Sequence, residues 1–104
     1  MNKKIYTWGG LFADRNYTVH DLSQIKGKEK LIQTTAATIE EAESAKNAGF
    51  DLLLCKSPNI KTVRLGAPNN FLTSTIDLSN FPSENEVLTE AFKAMKDGAD
   101  QVYT

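Results

Sequence analysis

AKNAGFDLLLC, residues 45–55, returns 49 residues later as AMKDGADQVYT, residues 94–104. Ala45 and Ala94, Gly49 and Gly98, and Asp51 and Asp100 coincide. Each copy reads as the end of a helix, a glycine where the chain leaves it, a short turn with an aspartate, and then a strand. That is the αβ half of a βαβ unit, used twice. Strands alternating with helices imply a parallel sheet joined by crossovers. The fold expected is therefore α/β, a partial (β/α) barrel of the TIM type with three to four parallel strands and flanking helices. A sheet that stops at residues 101–103 leaves an open edge, which is an aggregation hazard unless it is covered. Two explanations present themselves: a gene cut short, or edges that pair with another copy.

Outward from the repeat, punctuation places the other elements. In TIEEAESAKNAG, Thr38 and Glu41 stand at the capping-box spacing, Ile39, Ala42 and Ala45 share a face, and Gly49 ends the helix. SENEVLTEAFKAMKDG repeats this with Ser83, Glu86 and Gly98, and Val87, Leu88, Ala91, Phe92 and Met95 form an apolar stripe. Shorter helical turns are expected over Thr18–Lys26 and Pro58–Leu65, the second capped by Ser57 with proline at its first position. The strands are expected at Leu31–Thr35, Leu52–Cys55, Phe71–Ile76 and Gln101–Tyr103. WGGLFADRNY, residues 8–17, reads equally as an extra strand or a subunit contact.

The 104 residues suit one domain. With 40% apolar and 24% charged residues the chain is a globular mixture, and its formal charge of −1 excludes a strongly basic nucleic-acid footprint. No apolar run approaches the roughly 18 residues of a membrane span. MNKKIYTWGG lacks the apolar segment of a secretory signal. One cysteine excludes an internal disulfide and fits a reducing cytoplasm, the compartment expected.

The chemistry-bearing stretch is FDLLLCKS, residues 50–57, an apolar strand ending in Cys55, Lys56 and Ser57. Beyond the next helical turn, Thr73, Thr75 and Asp77 alternate with Leu72, Ser74 and Ile76, so one strand face is polar. Cys55 follows four apolar residues and reads as an inert buried thiol. His20, alone in a short capped turn, reads as structural or exposed.

The order and spacing of several pieces resemble the ketopantoate hydroxymethyltransferase family. TVHDLSQIKGKEKLIQTTA is similar to its opening, AKNAGFDLLLCKS to its next helix–strand unit, and VRLGAPNNF to its Val-Arg-x-Gly-Ala-Pro-Asn entry to a further strand. AFKAMKDGADQVY is similar to the helix and strand after that one. The likeness covers residues 18–103, leaves 1–17 unmatched, and spans only the first part of a complete enzyme. It implies a barrel of the phosphoenolpyruvate mutase and isocitrate lyase superfamily, with its site at the C-terminal ends of the strands. It also implies magnesium held partly by aspartates, an α-keto acid chelated as its enolate, and methylenetetrahydrofolate as one-carbon donor.

Carried over residue by residue, the resemblance fails at most of the site. Where the family has Gly-Asp-Ser, this chain has Cys55, Lys56 and Ser57, so only the serine remains. The family's segment with its Gly-His-Asp stretch is missing, and SPNIKT leads straight to VRLGAP. The second metal aspartate aligns with Thr75, with Asp77 two residues on and on the same strand face. The family lysine falls at Tyr103, and its Ala-Tyr-Asp at Ala36, Ala37 and Thr38. The later catalytic carboxylate would lie beyond Thr104. Exchanging two carboxylates for Lys56 and Thr75 moves the local formal charge from −2 to about +1, which repels a hard dication and attracts a carboxylate. No catalytic residue, metal or cofactor is therefore expected in this chain.

The expected function is that of a divergent or truncated relative, not competent for hydroxymethyl transfer by itself. A metal-free pocket for a small α-keto acid is assigned to Lys56, Ser57, Thr73, Thr75, Asp77 and Tyr103; the competing reading is a lysine that reaches into solvent. The alternatives are a small-anion binding module and a structural subunit that completes a barrel with a partner. Self-association through open barrel edges is expected, because contiguous apolar surface seeks cover.

Overall fold

The computed structural model describes residues 3–8 and 10–104. Strands β1 (Lys3–Tyr6) and β2 (Phe12–Arg15) pair as an antiparallel hairpin, Lys3 opposite Arg15 and Tyr6 opposite Phe12. The extra-strand reading of residues 8–17 thus describes β2, while Gly9 lies outside the described residues. Trp8 stacks on Phe92, ring centroids 5.6 Å apart and 13° from parallel.

Then come helix α1 (Val19–Ile25), strand β3 (Gln33–Thr35), helix α2 (Ile39–Asn47) and strand β4 (Leu52–Lys56). A 3-10 turn (Ser57–Asn59) leads into helix α3 (Ile60–Gly66) and strand β5 (Phe71–Thr75). A second such turn (Leu78–Asn80), helix α4 (Glu84–Lys96) and strand β6 (Gln101–Tyr103) are the last elements. Capping boxes start α1, α2 and α4 at Thr18, Thr38 and Ser83. Ser57 is no cap. It is the first residue of the 3-10 turn and is buried, and no side-chain capping bond forms there; Pro58 fixes the turn instead.

β3, β4, β5 and β6 lie side by side in that order, all parallel. Ala42 and Ala45 of α2, Ile60 and Val63 of α3, and Ala94 of α4 share one core with Leu53, Cys55 and Leu72. All three crossover helices therefore contribute to a core on the same sheet face. Sequential order with helices on one face is the arrangement of part of a (β/α) barrel; a doubly wound sheet would reverse its order and carry helices on both faces. The expected apolar stripe of α4 is only partly used: Val87, Ala91 and Met95 are half-buried, Leu88 is 54% and Phe92 48% exposed, and the residue of α4 that is fully buried, Ala94, lies outside that stripe.

The repeat has a structural cause. The backbone N–H of Asp51 donates to the carbonyl of Ile32 (2.8 Å), while the N–H of Ile32 donates to the Asp51 carboxylate (2.9 Å). Asp100 makes the same reciprocal pair with Leu72, at 2.8 and 3.0 Å. Each aspartate ties the start of its own strand to the strand before it. Gly49 and Gly98 precede them with φ of 88° and 121°, a backbone that side-chain-bearing residues rarely adopt.

Candidate functional site

Register places the lip residues in one row. Lys56, the last residue of β4, lies opposite Thr75, the last of β5, and Thr75 lies opposite Tyr103 of β6. These side chains belong to the face opposite Leu53, Cys55 and Leu72, away from the helices. A cleft of about 320 Å³ opens there, lined by Lys56, Ser57, Thr75, Asp77 and Tyr103, with Ile76 and Phe81 as apolar wall. A second cleft of about 410 Å³, under Thr35, Ala37, Glu41 and Asn59, shares Lys56 and Thr75 with it.

Five of the six assigned site residues thus meet at one cleft, and Thr73 does not. It sits one step down the strand, where its hydroxyl and the Gln101 side-chain oxygen lie 3.1 Å apart. Thr75 is half-buried and donates to the carbonyl of Cys55 at 3.4 Å. Lys56 is exposed, and among the described residues it has no ion-pair partner.

Asp77 departs from its expected placement. β5 ends at Thr75, so Asp77 is beyond the strand and caps the turn at Leu78–Asn80. Its carboxylate accepts from the Ser79 hydroxyl (2.7 Å) and backbone N–H (3.0 Å). Those bonds, the hydroxyl's first, hold its pKa below the usual carboxylate range, with Lys56 adding to the effect. An oxygen already committed in this way is a poor start for a metal site.

The magnesium implied by the resemblance does not fit these residues. Among the described residues, no three His, Cys, Asp or Glu side chains converge as a metal site would require. The two lip positions that would carry carboxylates hold an ammonium and a hydroxyl. No reaction step through a metal follows from this arrangement. Cys55 points the other way, into the helix-covered core, where burial pushes its thiol up to about 11 against the smaller opposing effect of Arg64. It is not a nucleophile at neutral pH.

A buried polar network at the opposite end of the strands was not visible in the sequence. Asp100 receives Arg15 Nε at 2.8 Å and Arg64 Nη2 at 2.8 Å. Arg64 also donates to the carbonyls of Gly98, Ala67 and Asn70, and Arg15 to that of Pro68. Burial draws Arg64 down to about 10 despite the pull of Asp100, so it stays cationic at neutral pH. Asn16 adds bonds to Asp51 and Phe71. The VRLGAPN stretch is therefore a staple joining α3, β5, β6 and the hairpin at the N-terminal face, where barrels place stability rather than catalysis. His20 is exposed on α1 and lines neither lip cleft.

No family model matches the chain. A curated relative, the 3-methyl-2-oxobutanoate hydroxymethyltransferase of Thermosipho melanesiensis, is 29% identical over 107 aligned residues. That match takes in 82% of this chain and 40% of the relative. The chain is thus a distant homologue of this enzyme and spans about two fifths of its length. Among the described residues no helix is long and apolar enough to cross a membrane.

Proposed function

We propose that this chain is a divergent relative of ketopantoate hydroxymethyltransferase, without that activity by itself, whose strand lip binds a small α-keto acid or similar carboxylate without metal. The observation that carries this reading is the row Lys56–Thr75–Tyr103 beside a cleft with an apolar wall. An ammonium near 4 Å from a carboxylate contributes about 1 kcal/mol in water and more where the cleft excludes it. Ser57 and Thr75 offer hydroxyls, and Ile76 and Phe81 suit a short branched tail. In this reading the site binds and orients its ligand.

Thermal unfolding with 3-methyl-2-oxobutanoate, once in EDTA and once in magnesium, tests the reading. At about ten times Kd, binding to the folded state adds about 1.4 kcal/mol. For a domain of this size that raises Tm by roughly 6–11 °C. The expected result is equal stabilisation in both buffers, abolished by Lys56→Ala. Stabilisation that needs magnesium, or that survives Lys56→Ala, would overturn it.

A further inference from the structure

We infer that two copies of this chain associate face to face through the hairpin β1–β2, about a two-fold axis that runs along its strands. The inference draws on the hairpin alone and does not depend on the ligand reading. The hairpin lies outside residues 18–103, the part that resembles the hydroxymethyltransferases, so it is a feature of this chain and not of that likeness.

Register and contacts fix the chemistry of its outer face. Tyr6 lies opposite Phe12, and Lys4 lies opposite Asp14. Alternate residues of a strand share a face, and the contacts agree. The Tyr6 and Phe12 rings meet edge to face with centroids 5.0 Å apart. Lys4 Nζ is 2.9 Å from the Asp14 carboxylate and 5.6 Å from the centre of the Phe12 ring. The other face turns toward the domain, where Arg15 is buried and bonded to Asp100. Tyr6 is 73% and Phe12 58% exposed. The outer face thus carries a row of two aromatic rings beside a row of two opposite charges, about 7 Å apart along the strands.

A second copy is the occupant this pattern fits, because the face is complementary to itself. Half a turn about an axis along the strands exchanges the two strands and keeps the two rows. Tyr6 of each copy then meets Phe12 of the other, and Lys4 of each meets Asp14 of the other. Aromatic area leaves water on both sides, and four charges of alternating sign come together. A two-fold axis across the strands would instead set Phe12 against Asp14 and Tyr6 against Lys4. Pairing of β1 edge to edge is opposed by Lys3 and Lys4, since charged side chains guard a strand edge. The patch is small. Four side chains give each copy on the order of 400 Å² to bury, about half its share of a standard interface, so the dimer is a weak one.

Sedimentation equilibrium over a concentration series, without ligand, tests this first. The mass is expected to rise from the 11.5 kDa of one chain toward twice that value. The midpoint is expected near about 0.1 mM, and a chain still monomeric at about 1 mM leaves the face to a different partner and overturns the inference. Charge reversal then identifies the surface. Lys4→Asp puts two acids on the face and Asp14→Lys puts two bases there, so each variant alone is expected to associate about tenfold or more weakly. Mixed in equal amounts, the two set acid against base at both ends, and the dimer is expected to return at the parent's concentration. Variants that associate alone as the parent does point to another surface, and a mixture no heavier than its components excludes this two-fold pairing; either result overturns it. Should a reversal unfold the hairpin, Tyr6→Ser/Phe12→Ser keeps the ion pair and is expected to be monomeric, and a dimer there contradicts the aromatic contact.

Discussion

Lys56 carries the binding reading and is exposed, so its attraction for an anion is open to screening. Raising salt from about 0.05 to about 0.5 M is expected to weaken carboxylate binding several-fold, as read by titration; a salt-independent affinity would place the anion elsewhere. Cys55 gives the opposite case, a reactive group made inert by its surroundings. Its folded pKa, about 11, lies above the ordinary 9.0. Below pH 9 both folded and unfolded thiols keep their protons, and its contribution to stability is fully present. Between about 9 and 11 the unfolded chain releases the proton first, so stability falls as pH rises through that window. The matching expectation at pH 8 is slow alkylation by iodoacetamide in the native protein and fast alkylation in urea.

At the scale of elements, the repeated glycines and aspartates were legible because each performs a local task within a few residues of its strand. The network around Asp100 was not, because Arg15 is 85 residues away and only the assembled sheet brings it near. Asp100→Ala leaves two buried guanidinium groups without their carboxylate, and a loss of about 3–5 kcal/mol is expected in denaturant unfolding. A loss below about 1 kcal/mol would show that the network is incidental. Gly66 tests the packing of α3 on α2. A methyl built there would press on the Ile39 carbonyl and lie 2.8 Å from the Ala42 methyl. Gly66→Ala is expected to destabilise by about 1–3 kcal/mol, although alanine favours helices, and a stabilised variant would contradict the close approach.

Across the whole molecule, alternating strand and helix signals fixed the class of fold, and the four parallel strands fall within two residues of their expected limits. Strand parity and register gather Lys56, Thr75 and Tyr103, because residues on one face of neighbouring strands must line up. Parity misled for Asp77, since the strand stops two residues before it and the Ser79 hydroxyl recruits its carboxylate into a turn. Exposure was the least legible property. The stripe on α4 has helical spacing throughout, yet the face turned inward is that of Val87, Ala91, Ala94 and Met95, which leaves Leu88 exposed and Phe92 covered only in part, by Trp8.

In the proposed function this lip holds a carboxylate with the Lys56 ammonium where a metal would otherwise stand. Calorimetric titration of 3-methyl-2-oxobutanoate into the chain in EDTA addresses it directly. Saturable binding whose Kd is unchanged by later addition of magnesium is the predicted result. Binding that appears only once magnesium is present would contradict it.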